Sequence, residues 1–123
     1  MIPRVSRDLK PLEWLATSLD DVRAMPIEVQ KLLGRQLLRV QLGLEPTDWK
    51  PMGTVGPGVS EIRIRTGRAH RVFYVSRFAE AVYVLHAFEK KSQRTDKRDL
   101  ELGATRYRQL LTRRREQGGQ GGR

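Results

Sequence analysis

Val59-Ser60-Glu61-Ile62-Arg63-Ile64-Arg65, then Thr66-Gly67, then Arg68 to Ser76, is the stretch on which the fold turns. Its period is two. Ile62 and Ile64 fall on one parity and Glu61, Arg63 and Arg65 on the other, so a strand here has an apolar row on one face and a charged, mainly cationic row on the opposite one. Thr66-Gly67 is turn chemistry between two such runs, and the segment reads as a β-hairpin. A further run, Ala81 to Phe88, is apolar on both parities. That is the pattern of a central strand covered on both faces, and Val82, Tyr83, Val84 and Phe88 favour strand over helix.

On either side of this core the period changes. Val29, Leu33, Leu37 and Val40 recur at helical spacing after Pro26, predicting a helix over Ile27 to Leu42 that Gly43 ends. Ser18, followed three residues later by Asp21, reads as the N-cap of a shorter helix that Pro26 interrupts, so the two form a helical hairpin. Leu12, Trp14 and Ala16 share a parity and predict a short first strand within Lys10 to Ala16, kept to an edge by Pro11. Glu45 to Gly58 holds Pro46, Pro51 and Pro57 and reads as a surface loop anchored by Trp49. Leu100, Ala104, Tyr107 and Leu111 predict a last helix from about Asp96 to Arg115. The expectation is one α+β domain over residues 1–115. It has an antiparallel sheet of about four strands, the N-terminal helical hairpin and the C-terminal helix, with a disordered Gly/Gln-rich tail at 116–123.

The chain has 123 residues, room for one core, and 24 Lys+Arg against 14 Asp+Glu give a formal net charge of +10. An excess of that size attracts polyanions, so nucleic acid heads the partners and an anionic membrane surface follows. Cysteine is absent, which excludes disulfides, thiolate metal sites and cysteine nucleophiles. His70 and His86 do not form a metal-ligand pattern, so no metal and no cofactor are expected. The first residues lack the apolar core of a signal peptide and no run is long enough to span a bilayer, which points to the cytoplasm and away from membranes. Lys90 to Arg98 packs five cations into nine residues with Asp96 the only acid, and Arg113-Arg114-Arg115 forms a second basic run.

Glu61-Ile62-Arg63, Arg71-Val72-Phe73-Tyr74 and the block Val84 to Thr95 (VLHAFEKKSQRT) together resemble the phage-derived, HigB-like branch of the RelE/ParE toxin superfamily. The resemblance covers roughly residues 9–112. It implies a RelE-like fold and a ribosome-dependent endoribonuclease that cuts messenger RNA and is neutralised by a cognate antitoxin, often a helix-turn-helix protein. Arg71 matches the arginine such enzymes place on the scissile phosphate, and Lys90 matches the cation at the end of the last strand. Lys91 and Arg94 stand close enough in sequence to share that phosphate. Arg63 and Arg65, on the polar parity of their strand, could floor an RNA groove beside Arg71, and Tyr74 could stack on a base. His86 has an intrinsic pKa suited to proton transfer but lies within an apolar strand, so a core role competes with a catalytic one. Where the family has a tyrosine early in the last helix this sequence has Asp96 nearby, which leaves the acid and base unassigned. Two other readings stand beside this one: a ParE-like toxin that poisons DNA gyrase, and a phage-derived protein that binds nucleic acid without cutting it.

Overall fold

A computed structural model describes residues 9–121. Five strands form one sheet in the order β1-β5-β4-β3-β2: β1 (Leu12–Trp14), β2 (Trp49–Pro51), β3 (Val59–Arg65), β4 (Ala69–Val75) and β5 (Val82–Lys90). The hairpin at Thr66-Gly67 forms as its alternation requires, with Gly67 at φ 101°, a value that suits a residue without Cβ. The middle strand is β4; β5 is interior as well, because the short β1 joins it in parallel with Leu12 opposite Val82. All other pairs are antiparallel.

One face of the sheet is covered by α1 (Ser18–Arg23) and α2 (Ile27–Gln41). Val29, Leu33, Leu37 and Val40 are buried there against Ile62, Ile64, Val72 and Val84. Gly43, at φ 87°, stops α2: the N–H of Leu44 donates to the Arg39 carbonyl and that of Gly43 to the Val40 carbonyl, the double closure that a left-handed residue permits. The opposite face carries α3 (Lys97–Gly121), which buries Tyr107 and Leu110 against Phe73, Val75 and Leu85. Gly103 lets α3 approach closely, because a Cβ at that position would lie 2.7 Å from the Phe73 ring.

Several expectations change. A fifth strand, β2, lies inside the segment read as loop, with Pro51 tolerated because it sits on an edge. Trp49 is half-buried, and Met52 and Val55 are the side chains of this segment that enter the core. Ser18 does not cap α1. It lies inside the helix, fully buried, and its hydroxyl donates to the Val84 carbonyl, while Thr17 occupies the cap position. The last helix does not end at Arg115: residues 116–121 of the expected tail are helical, and 122–123 lie outside the described residues. A helix docked on a sheet bears its nucleation cost elsewhere, so each added glycine costs it only about 1 kcal/mol. No helix is long and apolar enough to cross a membrane among the described residues.

Candidate functional site

β3 and β4 set Arg63 and Arg71 directly opposite each other on the α3 side of the sheet. Two like charges in register repel, and Glu61 stands in the same row to offset them. Its carboxylate, 1% exposed, lies 3.3 Å from Arg63 Nε and 3.5 Å from Arg71 Nε. The second distance is an ion pair without hydrogen-bond geometry, and both Glu61 Oε2 and Arg71 Nε are buried without hydrogen-bond partners. Arg71 Nη1 donates to the His70 carbonyl at 3.3 Å. Burial, above all, pulls the Arg71 pKa below its ordinary value; Glu61 pulls it back, and Arg63 and Arg65 push it down further. A guanidinium stays charged throughout, so the row retains positive potential that an incoming anion would relieve.

Around this row the fold builds a concavity of about 380 Å³. Lys50 enters from β2, where it is the register partner of Glu61. Lys90 enters from the end of β5, opposite Ala69 and so two residues before Arg71 on the same face. Arg94 enters from the loop that follows. Lys90 also shapes that loop, since its ammonium donates to the carbonyls of Ser92 and Gln93 at 2.7 and 2.5 Å. Among the described residues, five cations thus line one hollow and Glu61 is the acid that joins them. Forked guanidinium groups with a point-charge ammonium at the mouth suit a phosphate group.

The structure therefore brings together Arg63, Arg71, Lys90 and Arg94. Lys91 is exposed in the adjoining loop and does not line the hollow. Arg65 also lies outside it, exposed, with Nε 3.7 Å from Asp48. Tyr74 is on the other face: it is buried among the α2 contacts, and burial, partly opposed by a hydrogen bond to Ser60, raises its pKa to about 12. It cannot stack on an RNA base from there.

His86 is likewise removed from the hollow. At the bulge in β5 Phe73 pairs with His86 and Tyr74 with Val84, so Leu85 is the extra residue and His86 turns towards α3. Nε2 lies 2.7 Å from Asp99 Oδ1 and Nδ1 lies 3.2 Å from Arg106 Nη1. Arginine can only donate, so Nδ1 accepts and Nε2–H donates to Asp99. Both ring nitrogens are occupied, and burial lowers the pKa although Asp99 opposes it. Proton transfer to a substrate has no free nitrogen to use.

The second basic run is also committed to structure. Arg114 Nε donates to Glu80 at 2.6 Å and its guanidinium lies 3.6 Å from the Phe78 ring centre, while Arg113 reaches Glu13 at 3.5 Å. Lys50, Asp99 and Arg106 had escaped the sequence reading. Lys50 was hidden by the prolines around it, and the other two carry only helical spacing as a signal.

A family model described as "Phage derived protein Gp49-like" matches residues 20–108. Among solved structures, a mutant of the E. coli toxin RelE in the free state superposes with a TM-score of 0.59 at 16% sequence identity, covering 83% of this chain and 98% of that one. A search of curated proteins finds no match.

Proposed function

Because the chain belongs to the phage-derived Gp49-like family and has the RelE fold, we propose that it is the toxin of a type II toxin–antitoxin pair, an endoribonuclease that cuts messenger RNA on the ribosome. The observation that carries this reading is the convergence of Lys50, Arg63, Arg71, Lys90 and Arg94 on one hollow. In the reaction an RNA 2′-hydroxyl attacks the adjacent phosphorus and gives its proton to solvent water. The bond to the 5′-oxygen breaks and that oxygen takes a proton from water, giving a 2′,3′-cyclic phosphate and a 5′-hydroxyl. Negative charge grows on the non-bridging oxygens, and cations fixed beforehand stabilise it without reorganising. Arg71 and Arg63 hold the phosphoryl group, Lys90 and Arg94 close over it, and Glu61 keeps the two strand arginines in place.

Messages translated in cells expressing the protein should show discrete cleavage sites. Arg71→Ala strands the buried Glu61 carboxylate, so Arg71→Lys is the cleaner probe. Combined with Lys90→Ala it should lower cleavage by roughly 100-fold, the scale of losing preorganised donors at a reacting oxyanion. Growth arrest that survives both substitutions together with gyrase-dependent DNA breaks would establish the ParE-like reading. Harmless expression with gel-shifted, uncut RNA would establish a binding protein.

The antitoxin belongs, on this reading, to the outer ridge of α2 and the turn that follows it. Ile27, Leu38, Leu42 and Leu44 are exposed there, with Lys31 and Arg35 exposed among them. An amphipathic acidic segment fits that chemistry. Amide exchange across residues 27–44 should slow when antitoxin is added, and an unchanged pattern rules the ridge out.

A further inference from the structure

The loop between β5 and α3 is pinned at both ends, and only one pin belongs to the phosphate hollow. At its start, Lys90 holds the Ser92 and Gln93 carbonyls. At its end, Asp99 in the first turn of α3 accepts from His86 Nε2. His86 is in turn fixed by Arg106, which also donates to the Leu85 carbonyl at 3.1 Å and to the Thr17 hydroxyl at 3.0 Å. One arginine thus ties the β5 bulge, the entry to α1 and the start of α3 into a single rigid unit. Between the two pins lie Gln93, Arg94 and Thr95, all of which line the hollow although no strand supports them.

A histidine with both nitrogens engaged and a buried arginine are more than packing alone requires in this position, since an apolar pair would fill the space without desolvating a charge. We propose that the Asp99–His86–Arg106 relay is a positioning device that sets Arg94 over the phosphate. It rests on the hollow being the RNA phosphate site. Asp99 touches no substrate in this scheme and acts only through the loop. Arg63 and Arg71 are independent of it, because they stand on strands and are held by Glu61.

Two measurements on the full chain decide the matter. The first is amide exchange in residues 91–96, which needs no RNA. Asp99→Ala should speed it, whereas Asp99→Asn, which keeps an oxygen acceptor for His86, should leave it near the parent rate. Unchanged exchange in Asp99→Ala overturns the proposal whatever the protein binds. The second is binding of a short, fully 2′-O-methylated RNA, which cannot be cut, followed by fluorescence anisotropy. Asp99→Ala should weaken binding by about tenfold, the scale of losing one charge-assisted contact, and Arg94→Ala by a similar factor. Their combination should be no weaker than Arg94→Ala alone, and Asp99→Asn should restore affinity. Losses that multiply in the double variant would show that Asp99 does not act through Arg94. If the parent protein fails to bind the RNA while the exchange result holds, the RNA reading falls and the loop assignment stands as a device for some other anion.

Discussion

Glu61 is a fully buried carboxylate facing two guanidinium groups, and removing it strands the buried Arg71, whereas the partly exposed Arg63 keeps Asp48 at 4.0 Å. Breaking such a pair by deleting one partner costs about 3 kcal/mol or more. Glu61→Ala should lose that much in urea unfolding, whereas Arg65→Ala, exposed beside Asp48, should change stability by less than about 1 kcal/mol. Two histidines add a pH dependence. Burial, the leading cause in both, lowers the pKa of His70 and His86, with Glu89 and Asp99 respectively opposing. The folded chain then binds a proton more weakly than the unfolded chain, so their contribution is complete above about pH 6.5 and drains away as the pH falls through the folded values. Melting temperature should drop between about pH 7 and pH 5, and less so in His86→Gln; a flat profile contradicts the burial described. The parity of Glu61, Arg63 and Arg65 is legible from alternation and Arg71 from the resemblance, but the burial of Glu61 and Arg71 is not. Which face of a sheet receives a helix is set by the other elements, whereas Tyr74, three residues after Arg71 on the same strand, falls on the opposite parity by alternation alone.

Elements meet most tightly where α3 crosses the sheet at Gly103. Alanine there gains about 1 kcal/mol of helix propensity but drives a methyl into Phe73, a ring with no exposed surface and so no room to yield. Overpacking of that kind costs about 1 to 3 kcal/mol, so Gly103→Ala should lower the melting temperature, while Gly118→Ala, with open space around it, should not. The strands and helices with strong periods were readable in advance because period depends on the chain alone. β2 was not, since three residues that include Pro51 become a strand only by pairing with β3. The bulge that turns His86 towards α3 was invisible for a related reason: an extra residue in one strand is defined by its neighbour's register.

For the whole molecule, the charge of +10 is unevenly used. Arg113 and Arg114 are engaged with acids and rings that hold α3 down, so two of the three arginines at 113–115 serve the packing of the helix. The hollow gathers cations from β2, β3, β4, the end of β5 and the loop beyond it. Single-stranded RNA releases about 0.7 counterions per neutralised phosphate. If roughly three to five contacts form, affinity plotted logarithmically against salt should have a slope near −2 to −4, reduced by about one unit in Lys90→Ala. A slope indifferent to that substitution would separate the hollow from RNA binding.

The parallel register of β1 with β5 also orders events during synthesis. Leu12 waits for Val82 before it has a partner, and the last of the five cations, Arg94, emerges later still. A partly made chain therefore holds neither a closed sheet nor a complete set of charges. On the reading proposed here, the ribosome that makes this protein would be spared by it at least until Arg94 has left the exit tunnel.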